Sequence, residues 1–344
     1  MKKTDLFVPG RLCLFGEHSD WAGEYRQTDR SVLSGKCIVA GTDQGVYATA
    51  EPAEEVFFLS QILENGSPGR ESSYPSSFAS LAEVAAAAVF DSYAAGTAAE
   101  VIRKYPGLGL KLEVTSRDLP LKKGLSSSAA MCVLVARAFN RVHQLNLSVE
   151  EEMEFAYRGE LLTGSLCGRM DQACAYGRKT VLLTFDGNRM TAETVINTSP
   201  LYFLIVDLRA NKNTRRILKD LNSSFKNENQ LIRKALGEEN HRITSAARRA
   251  LENGDTIQIG RLMTEAQKIF DEMVVPSCPS ELTAPRLHEI LQHEAAVEYA
   301  LGGKGVGSQG DGTAQFICRG PEERDQLATA LESSAGVICY NLTL

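Results

Sequence analysis

A short segment rich in glycine and serine holds the residues of this chain best suited to bind phosphate. This segment, the serine loop, leads into an alanine-rich stretch that predicts a helix, and it consists of Gly124, Leu125, Ser126, Ser127, Ser128 and Ala129. The first N–H groups of a helix lack partners within it, and serine hydroxyls can contact phosphate or a hard cation. The loop therefore indicates a phosphate site, although a serine-capped helix without a ligand explains the same residues.

A second cluster of polar side chains follows a turn near the start of the sequence. Arg11 lies in a strand-like run that ends at Gly16, and Glu17, His18 and Asp20 come directly after it. The turn presents these polar side chains together beyond the strand. A polar turn after a buried strand is the alternative to a functional site, and this segment alone favours the turn.

Further candidates lie in the middle and near the end of the chain. Glu160 stands near the end of a predicted helix and Asp171 stands in a glycine-flanked loop, where solvated carboxylates are the ordinary interpretation. Residues 302–312 form a glycine run that abuts a strand-like segment, which indicates close approach of the backbone to another group. The basic segment 211–216 opens a predicted helix, and a solvated helix start explains it better than contact with an acidic substrate.

In their order along the chain, these segments resemble the three signatures of the GHMP kinases, which include galactokinases and mevalonate kinases. Residues 159–172 are similar to the family's stretch with a magnesium-binding Glu and a catalytic Asp, in its galactokinase form. The third segment matches more loosely, because Gln309 and Asp311 stand where the family usually has small residues. The resemblance implies an α+β fold with an N-terminal domain like domain 2 of ribosomal protein S5, a ferredoxin-like C-terminal domain, and an active site in the cleft between them.

The resemblance also implies a role for each candidate residue in an ATP-dependent kinase. Asp171 would be the catalytic carboxylate, and Arg11 beside it would stabilise charge on the transferring phosphoryl group. Ser128 and Glu160 would bind Mg²⁺, and the serine loop would bind the phosphates of ATP. The alternative for Arg11 is a surface salt bridge.

The implied acceptor is a monosaccharide, phosphorylated at its anomeric hydroxyl to give a sugar 1-phosphate. Glu17, His18 and Asp20 match galactokinase positions that bind sugar hydroxyls, and the residue matching Asp20 in mevalonate kinases is apolar. Cys13 replaces the usual asparagine of galactokinases, which puts strict galactokinase identity in doubt. A mevalonate-type kinase is one alternative, and a non-catalytic sugar- and ATP-binding regulator on the same fold is another.

Length and local patterns predict the elements that would hold these residues. With 344 residues the chain is expected to form two domains, 1–190 and 191–344. Ser148 and Glu151 form a capping box that starts a helix. The alanine-rich residues 80–101 are expected to be helical, and residues 62–75 are expected to form a polar loop.

Composition limits the classes of partner. The chain is 43% hydrophobic and 23% charged, and its net charge of -6 disfavours binding to nucleic acid or to anionic membranes. Its eight cysteines show no paired spacing, which predicts free thiols in a reducing cytoplasm. The expected ligands are a sugar, ATP and Mg²⁺, and the expected assembly is a monomer or homodimer.

Overall fold

The computed structural model describes residues 3–62, 68–119 and 124–344. Helices and strands mix without a strict β-α-β order, so the predicted α+β class is confirmed. The chain divides into two compact units. The first unit comprises Met1–Arg11 and Gly41–Arg178, and the second comprises Leu12–Ala40 and Lys179–Leu344. The two domains expected on either side of residue 190 stay a prediction.

The first unit contains strands arranged around β5. These strands are the first part of β1 (Thr4–Phe15), the second part of β2 (Gly35–Ala53), β3 (Val56–Ile62), β4 (Pro68–Tyr74) and β5 (Gly109–Arg117). Strand β3 pairs in parallel with β5 and antiparallel with β4. On the other side of β5, residues 46–53 of β2 pair with it in antiparallel register. Strand β4 thus stands at the edge of the sheet.

The loop expected over residues 62–75 is wrong for 68–74, where the chain forms β4. Residues 63–67 lie outside the described ranges. From residue 69 onward the side chains of β4 are exposed or half-buried, because an edge strand covers little of the core. The segment therefore lacks the apolar alternation by which a strand is recognised in a sequence.

Four helices described in the first unit carry or support the serine loop and the two candidate carboxylates. They are α2 (Phe78–Ala86), α3 (Ser92–Lys104), α4 (Ser127–His143) and α5 (Val149–Leu161). The helical segment expected over residues 80–101 forms two helices, since the chain breaks between α2 and α3, with Ala88 at a φ of 54°. The Ser148–Glu151 capping box at the start of α5 is confirmed.

Helices α3 and α5 approach each other closely through two glycines. A Cβ atom on Gly96 would overlap the carbonyl oxygen of Gly159, and a Cβ on Gly159 would overlap the backbone of Thr97. Both positions therefore need glycine for their lack of a side chain, since every other residue would push the helices apart. Because Gly159 directly precedes Glu160, this contact fixes where the Glu160 backbone lies.

The second unit contains two groups of strands. In one group, residues 35–40 of β2 pair with β6 (Thr180–Asp186), which pairs in turn with β7 (Arg189–Val195). The other group has the order β11-β8-β10-β9 with antiparallel pairs throughout. Its strands are β8 (Tyr202–Asp207), β9 (Ala300–Gly305), β10 (Thr313–Cys318) and β11 (Ile338–Thr343). Leu204, Val206 and Phe316 from these strands lie in one buried cluster with Leu327 and Leu331.

The helices of the second unit begin directly after the Gly16 turn. They are α1 (Ser19–Glu24), α6 (Thr214–Lys226), α7 (Gln230–Lys234), α8 (Asn240–Glu252), α9 (Thr256–Met273), α10 (Pro279–Leu282), α11 (Pro285–Leu291), α12 (Glu294–Tyr299) and α13 (Pro321–Ala335). A π-helical segment, Ala235–Glu239, joins α7 to α8. Within the described ranges, no helix is long and apolar enough to cross a membrane. The cysteines are free thiols, as predicted.

Candidate active site

The serine loop lies at the start of α4 with an unusual backbone. Gly124 and Ser126 both have positive φ angles, 75° and 53°. Ser126 occupies the N-cap position of α4, yet its side chain makes no capping hydrogen bond. Its hydroxyl instead donates to Asp171 Oδ1 at 3.0 Å. Ser126 is thus not an ordinary serine cap, because its hydroxyl binds a candidate catalytic carboxylate.

Asp171 is held by two elements as well as by the serine loop. It opens a 3-10 turn, Asp171–Tyr176, and its Oδ1 accepts a hydrogen bond from the guanidinium of Arg11. Arg11, which is buried on β1, also donates to the carbonyl oxygen of Gly124 at 3.1 Å. The Asp171 side chain is 25% exposed, so a ligand can reach it. Arg11 therefore joins Asp171 to the loop and is not a surface salt bridge.

Glu160 lies at the end of α5 and is only 2% exposed. Its Oε1 accepts from the Ser128 hydroxyl at 2.8 Å, and its Oε2 accepts from the Gln172 amide, also at 2.8 Å. Burial, and then the nearby charge of Asp171, raise the pKa of Glu160 to about 7, although Ser128, Gln172 and Arg11 act in the opposite direction. An added cation at this place would favour the ionised carboxylate.

The donor set around Glu160 fits a magnesium ion. Ser128 and Glu160 offer hard oxygens, and Asp171 is a second carboxylate close enough for its charge to act on Glu160. The described residues form no cluster of three or more His, Cys, Asp and Glu side chains that could hold a metal ion. Such a cluster is not required, because Mg²⁺ usually binds through one or two carboxylates together with substrate phosphates. Gln172 was not singled out in the sequence, though it directly follows Asp171.

The polar cluster after the Gly16 turn belongs to the second unit. Gly16 has a φ of 90°, and a Cβ there would overlap the carbonyl oxygen of Lys36, so the turn needs glycine. Glu17, His18 and Asp20 are all buried, unlike the residues of an ordinary polar turn. The Glu17 carboxylate accepts a hydrogen bond from the Lys304 ammonium, which is also buried.

His18 is held in a single neutral form. Its Nδ1 accepts from the Trp21 indole at 3.1 Å, so the proton of the neutral ring resides on Nε2. The ring also stacks on Phe270, with 5.9 Å between ring centroids. Burial lowers the pKa of His18 to about 4, with smaller contributions from Lys212 and Lys304, and outweighs the opposing effect of the Ser308 backbone. At neutral pH the ring therefore serves as a hydrogen-bonding group without charge.

The glycine run 302–312 carries the two residues that differ from the family pattern. Gln309 is buried with a φ of 62°, and its Oε1 accepts no hydrogen bond from any residue within the described ranges. Asp311 accepts from the backbone N–H of Leu287 at 2.8 Å, so its role is to anchor α11. Lys304 lies in the same run and received no role from the sequence, although a lysine among glycines was a visible signal.

The basic segment 211–216 acts chiefly within the protein. Asn213 caps α6 by accepting from the Arg216 N–H at 3.0 Å. Lys212 donates to the carbonyl oxygens of Val306 at 3.3 Å and of Gln309 at 2.7 Å, and thereby holds the glycine run in place. Burial lowers the pKa of Lys212 to about 8, against the opposing charges of Glu17 and Asp311. The expected solvated helix start therefore describes Arg215 and Arg216 but not Lys212.

Comparison with known proteins shows which family one segment of the chain matches and which solved structures share its fold. Residues 92–178, which include the serine loop, Glu160 and Asp171, match the family described as the GHMP kinases N terminal domain. A solved structure, the Lactococcus lactis galactokinase complexed with galactose, superposes with a TM-score of 0.72 at 20% identity, over 100% of this chain and 94% of that one. The chain thus has the GHMP kinase fold.

Two curated proteins give the similarity at the level of sequence. A Pyrococcus furiosus galactokinase is 27% identical over 57% of this chain, and the match spans half of that protein's own length. A Thermococcus onnurineus mevalonate kinase is 25% identical over 96% of this chain and 92% of its own. The chain is thus similar in sequence to both a galactokinase and a mevalonate kinase, and it spans about half the length of the first of these.

Proposed function

We propose that this protein transfers the γ-phosphoryl group of ATP to a monosaccharide, at its anomeric hydroxyl, and releases a sugar 1-phosphate. The observation that carries the proposal is the network that joins Arg11, Asp171 and Ser126 beside the Ser128–Glu160 pair. A carboxylate, a buried guanidinium and a helix start are the parts that phosphoryl transfer requires. The reaction would take place in the cytoplasm, with the protein as a monomer or homodimer.

Each residue of the first unit has a part in the proposed reaction. The N–H groups of the serine loop (Gly124, Leu125, Ser126, Ser127, Ser128 and Ala129) bind the phosphates of ATP. Asp171 orients the attacking hydroxyl and accepts its proton. Arg11 fixes the Asp171 carboxylate and stabilises the negative charge that develops on the phosphoryl group. Ser128 and Glu160 hold the magnesium ion, which neutralises phosphate charge when bound.

Glu17, His18 and Asp20 supply the proposed contacts to the sugar. Two carboxylates and a neutral imidazole offer both acceptors and a donor to a ligand with several hydroxyl groups. Their burial supports this role, because a hydrogen bond to a sugar hydroxyl is stronger where water is excluded. The name of the Lactococcus lactis relative, a galactokinase complexed with galactose, agrees with a sugar acceptor.

A mevalonate-type kinase is the second candidate, because the match to the Thermococcus onnurineus mevalonate kinase covers nearly the whole chain. A screen of free sugars, uronic acids and mevalonate decides between the two. Release of ADP identifies the acceptor, and phosphorus NMR of the product locates the new phosphate ester. We expect turnover of a neutral sugar and phosphorylation at its anomeric oxygen. Turnover of mevalonate alone would overturn the acceptor, and the absence of any turnover with ATP would favour a non-catalytic regulator.

A further inference from the structure

A pocket in the second unit adjoins the Gly16 turn and carries no role in the reaction as described so far. Its cavity volume is about 50 Å³, and it opens to solvent. Gly16 and Glu17 line one side, so the pocket continues from the residues that we assign to the acceptor. Other lining residues come from the π-helical segment and from α8 and α9, and these form the helical wall of the pocket. Single π-helical turns within helices are frequently found at functional sites.

The wall formed by these helices is apolar. Leu236, Ile243, Ile269, Phe270 and Val274 face the space together with two alanines. The two polar residues of this wall already have partners. Glu239 accepts from Arg242 at 2.9 Å, and Asn240 donates to the Lys36 carbonyl at 2.8 Å. A ligand group that touches this wall therefore gains most if it is apolar, because a buried hydroxyl without a partner is costly.

The other side of the pocket offers a small number of polar groups. Glu17 and Lys304 form a buried ion pair there, and Gln309 presents a buried Oε1 that accepts no hydrogen bond from the described residues. That oxygen calls for a donor, which a sugar hydroxyl supplies. Lys304 is committed to Glu17, and Glu239 is balanced by Arg242. Among the residues described at the pocket no cation is left to pair with an acidic ligand, so the lining favours a neutral one.

We propose that this pocket receives the end of the acceptor that is not phosphorylated, and that it selects a neutral sugar with a methyl group there. A 6-deoxyhexose meets these conditions: its methyl group packs on the helical wall while a neighbouring ring hydroxyl donates to Gln309. A hexose would bury its C6 hydroxyl against that wall without a partner. The inference rests on the proposed sugar kinase function and specifies its substrate class.

Pairs of sugars that differ only at C6 test the proposal: galactose, mannose and glucose, each with its 6-deoxy form. For each pair, kcat/KM comes from ADP release, and affinity comes from calorimetry without ATP. In the pair with the best acceptor, we expect the wild-type protein to favour the 6-deoxy sugar about ten- to a hundredfold, the range for one polar group in an apolar pocket. Equal use of both members, or preference for the hexose, would overturn the pocket assignment.

Substitutions on α9 provide the matched comparison. Ile269→Thr places a hydroxyl on the apolar wall and should reduce the preference by at least about threefold. Ile257→Thr makes the same change at an exposed position of the same helix, away from the pocket, and should leave the preference unaltered. If Ile269→Thr does not fold, Ala266→Leu fills the pocket instead and should weaken both sugars with an unchanged KM for ATP. A folded pocket variant that behaves as the wild type refutes the assignment.

The two proposals fail in different ways. Phosphorylation of sugars without a preference at C6 overturns the pocket and leaves the sugar kinase intact. Tighter binding of a 6-deoxy sugar without its phosphorylation supports the pocket and overturns the kinase acceptor. Turnover of mevalonate with no binding of either sugar overturns both.

Discussion

Lys304 and Glu17 stand 287 positions apart in the sequence and form an ion pair whose side chains are 1% and 7% exposed. The pair joins the Gly16 turn to β9 within the second unit. Removal of the Lys304 charge would leave the Glu17 carboxylate buried without a counter-charge. The resulting loss of folding free energy is larger than the net contribution of the intact pair.

We expect Lys304→Met to lower the free energy of unfolding by about 3–5 kcal/mol, the range for breaking a buried ion pair. Glu17→Gln in the same chain should restore part of this loss, because the uncompensated charge is then gone. Urea unfolding of the wild type, both single variants and the double variant measures the coupling. Additive effects in that cycle would show that the two side chains do not stabilise each other.

Asp171→Asn keeps the shape of the side chain and removes its charge and its basicity. We expect turnover to fall by at least about a hundredfold, the lower range for a positioned acid–base group, with ATP affinity little changed. Initial rates and nucleotide titration measure the two effects. The control is Asp186→Asn, which removes an exposed carboxylate that pairs with Arg26. Near-normal turnover in a folded Asp171→Asn protein would remove Asp171 from the mechanism.

Glu160→Gln should raise the Mg²⁺ concentration needed for half-maximal rate and lower the maximal rate, because one charged ligand is lost. Gln172→Glu is the matched comparison. It removes the hydrogen bond from the Gln172 amide to Glu160 Oε2 but keeps the Glu160 carboxylate. Rates across a magnesium titration give the answer. An unchanged titration in Glu160→Gln would assign Glu160 a structural role.

Asp20→Ala distinguishes a polyhydroxy acceptor from mevalonate. Loss of a charged hydrogen-bonding partner costs roughly 1.5–3 kcal/mol, or about ten- to a hundredfold in kcat/KM for the sugar. ATP binding should be preserved, because the serine loop is a separate element. Steady-state kinetics with the best sugar from the screen measures the effect. Sugar phosphorylation that is unaffected by this change would contradict the role of Asp20.

His18 should remain uncharged from neutral pH down to about pH 5, because its pKa is about 4 against an ordinary value of 6.5. Between these values the unfolded chain binds more protons than the folded one, so stability is lost as pH falls from 6.5 towards 4. The loss from this ring is about 3 kcal/mol. Ring NMR signals, assigned with His18→Gln, follow the titration directly. A His18 signal that titrates near pH 6.5 would contradict burial of a neutral ring.

Residues of the candidate catalytic network were easier to select from the sequence than the strands, helices and ion pairs that hold them. Residue types in the serine loop indicated a phosphate site, but Asp171 was selected only because its stretch resembles that of the GHMP kinases. Lys304 was visible among glycines, but its partner is fixed only when β9 meets the Gly16 turn. Strand β4 was missed because edge strands need no apolar face. The π-helical segment could not be predicted, because a single π-helical turn within a helix has no sequence periodicity of its own.

The contact between Gly96 and Gly159 makes the position of Glu160 depend on α3, a helix that contributes no residue to the candidate active site. A single methyl group on α3 would shift α5 and carry Glu160 away from Ser128. If Glu160 binds magnesium as proposed, a substitution of Gly96 would alter the demand for magnesium, although residue 96 is far from Glu160 in the sequence. Residue 96 is therefore constrained by the short distance between its Cα and the backbone of Gly159. That distance, and not a chemical role of α3, limits which side chains this position accepts.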